Sequence, residues 1–427
     1  MKFAADFHIH SKYSRATSPS MDLESLDRWA RIKGIKVLGT GDFTHPLWFK
    51  DLKEKLEPAE TGLFKLKNSD SPTRFILTSE ISCIYSKNLP AGRQGNKVRK
   101  IHIIVFSPSF EIVEKINVQL GWIGNLKADG RPILGLDAKE LAKIVLSISG
   151  DCLIIPGHAW TPWFSVFGSK SGFNSIEECF EDYSKYIYAI ETGLSSDPAM
   201  NWRLSALDKI TLISNSDAHS LQKIGREANV FDTEISYGTI VDAIKLKDRK
   251  KFLYTIEFFP EEGKYHYDGH RLCNLSLSPQ ESKKYNNICP RCSKPLVIGV
   301  LNRVEELADR PQGFVPENAI PFKSLIPLGE IIAESIGASV ASKEVVKLYN
   351  NLITNLGSEF KILLESEREN LEKYSLPEIA EGIIRVRDGK VNIEPGYDGV
   401  YGKIKIFSEE DNLPSGRKKF FNQKTLF

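Results

Sequence analysis

The chain has 427 residues, 41% hydrophobic and 26% charged, a globular composition that excludes disordered and collagenous chains. It is too long for one core, so two or three domains are expected. With 57 basic and 55 acidic residues the net charge is +2, so a nucleic-acid surface would have to be local rather than spread over the whole molecule. The opening MKFAADFHIHSK puts Asp6, His8 and His10 where a signal peptide needs an apolar run, and no stretch approaches a membrane span; a cytoplasmic location is expected.

Through about residue 225, short β-branched runs alternate with helical patterns, which predicts β/α units and a parallel sheet. Seven strands are expected: FAADFHIH, IKVLGT, RFILTSE, KIHIIVF, DCLIIPGH, YIYAIET and KITLISNSDAH. Between the first two, Leu23, Leu26 and Ala30 form an apolar stripe behind an Asp22 cap, and Gly34 ends the helix. The hydrophilic stretch from Ser86 to Lys100 reads as a surface insertion with no packing role. Residues 1–255 form the first predicted domain. From 256 to 312 the sequence turns charged and turn-rich, with His266, His270, Cys273, Cys289 and Cys292. Two helix-like runs follow, LGEIIAESIGA and KEVVKLYNNLITNLG, then further helices and a β-hairpin signal at KVNIEPGYDGVYGKIKIF. This predicts a mainly helical domain over 313–410, with a basic tail at 411–427. The fold class expected is α/β.

Histidines are few, eight in all, and six fall at or beside strand ends. If the strands close into a barrel, His8, His10, His45, His102, His158 and His219 converge on its C-terminal rim with Asp42, Glu80, Glu191 and Asp217. Six histidines and four carboxylates are too many for one metal. Imidazole and carboxylate suit Zn²⁺, Mn²⁺ or Fe²⁺, and clustered ions sharing a carboxylate activate water and clamp phosphate oxygens. Phosphoester hydrolysis is the chemistry implied. A single histidine at a strand end is more often a hydrogen-bonded polar residue or a helix cap.

HIH, GDFTH, SE, IH, PGH and SDAH, in this order, resemble the motifs of the polymerase and histidinol phosphatase (PHP) superfamily. That resemblance implies a distorted (β/α)7 barrel binding up to three metals. His8, His10, Glu80 and Asp217 would hold one, Glu80 would bridge to a second at His102 and His158, and Asp42, His45 and His219 would be left for a third. Zn²⁺ is the ion expected, with Mg²⁺ or Mn²⁺ as alternatives. Separately, His270, Cys273, Cys289 and Cys292 have the H-x2-C-x15-C-x2-C spacing of a structural zinc ribbon, with His266 as the substitute for His270. A cytosolic redox pair is the other reading of C-x-x-C.

Barrel, ribbon and the stretch VLNRVEELADRPQGFVPENAIPFKSLIPLGEIIAESIG together resemble the endonuclease Q family over nearly the whole chain. HSKYSRATS, WARIKGIKVLGTGDFTHP, ETGLSSDPAMNWR and NSDAHS are its most specific segments. The resemblance implies a metal-dependent DNA repair nuclease that cuts 5′ of deoxyinosine, deoxyuridine or an abasic site, with Asp197 of GLSSDP as a catalytic residue. Read without it, Asp197 is a turn residue before Pro198. A metal-activated water is the expected nucleophile, and Arg15 a candidate phosphate clamp. Choosing an altered base requires inspecting it outside the stack. The aromatic segment GHAWTPWFSVFGSKSGF offers Trp160, Trp163 and Phe167 as base-binding candidates, and at least half of its aromatics are expected to pack instead. The basic run from Lys245 to Lys251 would grip the DNA backbone. Gln423-Lys-Thr-Leu-Phe427 resembles the Gln-x-x-Leu-Phe peptide that docks bacterial proteins on the sliding clamp, and less closely a PCNA-binding peptide, with Leu426 and Phe427 as anchors. Two other functions stay open. One is a PHP phosphatase for a small phosphoester, which would need neither ribbon nor tail. The other is an inactive DNA-binding or clamp-associated scaffold, which would have no reason to keep the ligands.

Overall fold

The computed structural model describes residues 1–87 and 97–408; Gln423, Leu426 and Phe427 lie outside the described residues. The fold is mixed α/β with a central sheet. Its first strand, β1 (Lys2–Asp6), pairs in parallel with β2 (Ile35–Gly39). Between them helix α1 (Leu23–Lys33) starts where the Asp22 carboxylate accepts a hydrogen bond from the Ser25 N–H at 2.8 Å, and stops at Gly34, whose φ of +89° favours glycine.

β2 pairs in parallel with β3 (Arg74–Lys87), which pairs antiparallel with β4 (Lys97–Ser107) from Leu77–Ser107 out to Lys87–Lys97. β4 is also antiparallel to β5 (Leu153–Pro156). The sheet is therefore mixed, where β/α alternation predicted a parallel one. Only nine residues separate Lys87 from Lys97, too few for the crossover that a parallel pair requires. The same pairing corrects the reading of Ser86 to Lys100, since both flanks are strand. Arg99 is buried with its guanidinium 4.2 Å from the Phe173 ring centroid, and so has a packing role.

β6 (Ala189–Glu191) and β7 (Thr211–Ile213) pair in parallel. The Ala159 N–H donates to the Glu191 carbonyl, and the His10 N–H to the Ala218 carbonyl, in a parallel bridge between Ile9 and Ala218. The succession β1 to β7 thus returns to its start. One apolar cluster collects side chains from all seven strands, including Phe7 just past β1, Val37, Ile76, Phe106, Ile155, Ala189 and Ile213. Each of the seven strands thus contributes to one shared core. Burial of each large side chain there contributes roughly 1.5–3 kcal/mol. Helix Tyr237–Lys245 adds Ile240, Val241 and Ile244 to the same cluster. Outside the ring, β8 (Ala228–Asp232) pairs antiparallel with β1 and with β9 (Phe252–Glu257).

Beyond β9, strands Asp268–His270 and Leu275–Leu277 pair antiparallel beside a very small apolar cluster of Leu277, Cys289 and Leu296. So little apolar burial does not stabilise a module by itself. Helices Leu328–Ile336, Lys343–Leu356, Glu359–Leu364, Arg368–Tyr374 and Pro377–Arg387 follow, then a hairpin of Asn392–Glu394 with Lys403–Lys405. The helices are tied to the ring by a buried ion pair, Lys33 Nζ to Glu359 Oε2 at 2.7 Å. No helix among the described residues is long and apolar enough to cross a membrane.

At the end of β9, buried Glu257 accepts hydrogen bonds from Thr192, Ser214 and Thr255, yet burial pushes its carboxyl up to about 8. Unfolded, this group ionises near the ordinary glutamate value. Between these pH values the unfolded chain binds fewer protons than the folded one, so stability falls as pH rises from about 4.5 towards 8. Glu257→Gln should flatten that slope, raising Tm at pH 8 while leaving it little changed at pH 5, as thermal melts across this range would report.

Candidate metal centre

His8 and His10 leave β1 two residues apart and therefore share a side. Glu80 and His102 come from the paired strands β3 and β4, where Glu80 faces Ile104 and Ser82 faces His102. His158 follows β5 and Asp217 follows β7. Both have positive φ, +28° and +46°, a conformation uncommon for side-chain-bearing residues and concentrated at functional sites. Gly193 also has positive φ, and a Cβ there would collide with His158, so only glycine leaves that imidazole its place.

Two sets of donor atoms result. His8, His10, Glu80 and Asp217 each offer an atom within 4.8 Å of the others, as do Glu80, His102 and His158. In the first set, Glu80 Oε2 lies 3.4 Å from His8 Nε2 and 3.2 Å from His10 Nε2, while Asp217 Oδ1 lies 3.7 and 3.1 Å from the same nitrogens. A tetrahedral ion with ligands at about 2.1 Å separates them by about 3.4 Å. In the second set, Glu80 Oε1 is 2.6 Å from His102 Nδ1 and 3.1 Å from His158 Nε2, which are 3.0 Å apart. The two oxygens of Glu80 thus serve different sets.

Hydrogen bonding sharpens the fit. His8 Nε2, His10 Nε2 and Asp217 Oδ1 are buried with no hydrogen-bond partner, a costly arrangement that a cation would relieve. Three of the four outward nitrogens are held: His8 Nδ1 by Glu191 at 3.0 Å, His10 Nδ1 by Asp42 at 3.0 Å, and His158 Nδ1 by Thr161 at 3.0 Å. Orphaned inner atoms and anchored outer ones are what metal-binding imidazoles show. The donor set of imidazole and carboxylate fits a divalent ion of the Zn²⁺ or Mn²⁺ kind.

Charge balance follows from burial and neighbours. Burial alone would lower His8 and His10, but Glu191, Glu80 and Asp217 around the first and Asp42 beside the second raise both well above the usual histidine value. Burial would raise Glu80, yet His102, His8 and Arg131 hold it well below the carboxylate range. His102 is pushed down to about 4, chiefly by burial, against the opposing pull of Glu80.

The other expected ligands take different places. Glu191 and Asp42 orient histidines rather than join either set; Asp42 also accepts from the Ser11 N–H and hydroxyl, and Glu191 from Asn215 and the His158 N–H. His45 stands at the position before a helix starting at Pro46, makes no cap hydrogen bond with its ring, and stacks on Tyr13, centroids 4.5 Å apart. His219 lies beside His10 and donates from Nδ1 to the Asp217 carbonyl at 2.9 Å. His45→Ala should accordingly leave bound metal unchanged where His10→Ala strips it, as elemental analysis of the purified variants would show.

Asp197 caps helix Pro198–Asn201 through the Met200 N–H at 2.8 Å, and lines a cavity of about 380 Å³ with His266 and Tyr267. Arg15 is 82% exposed, its guanidinium 4.0 Å from Asp129. Of the aromatic candidates, Trp160 and Phe167 are buried against each other, with the indole N–H bonded to Asn201 at 2.8 Å, and so pack rather than present a face. Trp163 is 51% exposed, with Lys100 Nζ 5.1 Å from its ring centroid. Two arginines were not anticipated. Arg131 Nη1 donates to Glu80 Oε2 at 3.1 Å, and buried Arg303 donates to the carbonyls of Phe167 and Phe173, fixing the aromatic segment from a distant helix. Neither stands at a strand end or in a periodic pattern, so no sequence signal marked them.

In the second module the ligand atoms of His270, Cys273, Cys289 and Cys292 also lie within 4.8 Å of one another, with His270 Nδ1 3.3 Å from Cys292 Sγ. Burial would raise the Cys289 thiol, but backbone N–H groups of Arg291 and Cys292 and the His270 ring bring it down to about 6, towards the thiolate that metals bind. His266 is not part of this set.

A family model described as the MJ0043 C-terminal domain matches residues 327–390. The chain is 36% identical over 255 residues to the uncharacterized protein MJ0043 of Methanocaldococcus jannaschii, 58% of this chain but 31% of that protein, so it spans about a third of this relative. It is 29% identical to the uncharacterized protein YqxK of Bacillus subtilis over 95% of this chain and 99% of YqxK. The crystal structure of the lesion-specific endonuclease PfuEndoQ from Pyrococcus furiosus superposes with a TM-score of 0.83 at 31% identity, covering 96% of each chain. A structure of endonuclease Q with a 27-mer duplex substrate carrying an abasic lesion at the active site gives 0.81 at 32% identity, covering 96% of this chain and 98% of that one. With more than 30% identity to both along almost their full length, the chain belongs to the endonuclease Q family.

Proposed function

We propose that the chain is a metal-dependent DNA repair endonuclease that hydrolyses the phosphodiester bond 5′ of deaminated bases and abasic sites. The observation that carries this reading is the pair of donor sets sharing Glu80, in a chain that matches endonuclease Q throughout. The strand ring is read as a distorted (β/α)7 barrel of the PHP kind, residues 256–312 as a zinc ribbon, and 313–410 as a mainly helical domain. Gln423, Leu426 and Phe427 are proposed as anchors for a sliding clamp.

His8, His10, Glu80 and Asp217 would hold one divalent ion, and Glu80, His102 and His158 a second. When bound, such ions neutralise phosphate oxygens and acidify water. Glu191, Asp42 and Thr161 keep the three imidazoles aimed. Arg131, on Glu80, adds positive charge where a phosphate would enter. Arg15, largely exposed beside Asp129, is proposed as a clamp on a flanking phosphate. Trp163 offers a stacking face beside the cation of Lys100. Asp197, which lines the cavity of about 380 Å³, is proposed as a further catalytic residue.

End-labelled duplexes carrying one deoxyinosine, deoxyuridine or abasic site test this reading. A nick immediately 5′ of the lesion is expected, absent on undamaged DNA, lost on chelation and restored by Zn²⁺, Mn²⁺ or Mg²⁺. Hydrolysis of nitrophenyl phosphate without any nick would instead identify a small-substrate phosphatase.

A further inference from the structure

Arg303 is a buried guanidinium far along the chain from the donor sets, and most of its hydrogen bonds go to one segment. From helix Val300–Leu307 its Nε donates to the Phe167 carbonyl and its Nη2 to the Phe173 carbonyl, each at 3.0 Å; Nη2 also donates to Asn174 Oδ1 at 2.8 Å. Its ion-pair partner, Glu306 on the same helix, is largely exposed. A charge buried chiefly against neutral carbonyls costs more than an apolar side chain of similar size, so packing alone does not account for it. What the planar fork does is pin two carbonyls of one loop.

That loop lies on the second donor set. Thr161 Oγ1 is 3.0 Å from His158 Nδ1, the Phe164 carbonyl accepts the His102 N–H at 3.0 Å, and the Phe164 ring centroid is 4.6 Å from that of His102. One segment therefore touches both imidazoles that flank Glu80 Oε1. Phe164 has a φ of +63° and His158 one of +28°, a conformation that bulky residues keep only where their surroundings hold it. The pinned residues are woven into the same segment, the Phe167 N–H donating to the Ala159 carbonyl and the Phe173 N–H to the Val166 carbonyl.

The start of the Arg303 helix is fixed by the histidine–cysteine module. Gly299 precedes the helix and has no side chain to cap it. Buried Asp268 supplies the acceptors instead, Oδ1 to the Gly299 N–H at 2.7 Å and Oδ2 to Asn302 Nδ2 at 2.6 Å. The Tyr265 and His266 carbonyls take the Val300 and Leu301 N–H groups at 2.8 and 3.1 Å. Asp268 opens the strand that ends at His270, a member of the cysteine set. We propose that Arg303 is a positioning residue through which this module sets the geometry of the His102–His158 metal set. This rests on the two-ion reading above. The module then serves as a mount for the catalytic centre, made rigid by its own ion.

Mn²⁺ titrations of the full-length protein, with the cysteine set kept loaded with zinc and free Mn²⁺ read by its EPR signal, test the assignment apart from cleavage. Wild type should bind an ion at each of the two donor sets. In Arg303→Met one ion should weaken by about ten-fold or more while the other keeps its affinity. Arg303→Lys, a point charge in place of the fork, should recover part of the loss. In a His102→Ala background, which leaves only the first set complete, adding Arg303→Met should change nothing further. Asp268→Ala should reproduce the selective weakening, and combined with Arg303→Met it should be less than additive, since both cut one route. Unchanged affinity for both ions in Arg303→Met, equal weakening of both with a lowered Tm, further weakening in the His102→Ala background, or full additivity with Asp268→Ala would each overturn the proposal. Wild type binding fewer than two ions would overturn the two-ion reading and the proposal with it.

Discussion

Glu80→Gln should reduce lesion cleavage by on the order of 10³-fold or more and lower the metal held by the two donor sets. The two carboxylate oxygens face different histidine pairs, Oε2 towards His8 and His10, Oε1 towards His102 and His158. Glutamine keeps the shape but loses the charge, and whichever way its amide lies, one set meets an NH₂ donor where it had a ligand oxygen. The substitution also removes a negative charge from beside His8, His10 and Arg131, so the empty site repels a cation more strongly. Elemental analysis and single-turnover kinetics on the same preparation check both effects. Removal of His102 alone should deplete one set and leave the other, since it touches only Oε1.

Asp197→Asn should abolish cleavage with little change in Tm, whereas Asp197→Ala should lose cleavage and also about 1 kcal/mol of stability. The observed cap and the proposed catalytic role differ in what they require of the carboxylate. As cap it only accepts the Met200 N–H, which asparagine does equally well. As a reacting group facing the cavity it needs its charge or its proton, and burial raises this carboxyl above the ordinary aspartate value. Thermal melts beside nicking assays separate the two. Full activity in Asp197→Asn would reduce the residue to a helix cap.

The seven strands could be read in the sequence because each couples an apolar β-branched run to a polar end, a local pattern that survives any tertiary arrangement. The direction of β4 could not, because a hydrophilic connection looks the same whether it closes a hairpin or leads to a crossover. Among the histidines, the strand-end pattern showed which side chains gather, and the family resemblance added the two sets sharing Glu80 that the structure brings together. The pattern alone does not separate Glu80 from Glu191, since both end strands; the fold places one between two imidazole pairs and the other behind His8. Trp160 and Phe167 looked available because their partners, Asn201 and Arg303, lie far along the chain. Arg131 belongs to no repeating pattern, and its contact with Glu80 arises only when its loop folds over the rim.

Anomalous diffraction from crystals of the purified protein, recorded on both sides of the zinc and manganese absorption edges, tests most directly whether Glu80 joins two metal sites. The account predicts two peaks, one at His8, His10 and Asp217, the other at His102 and His158, each in contact with a different oxygen of Glu80. A metal-replete protein with no peak against Glu80, or with ions held by His45 and His219 instead, would contradict it.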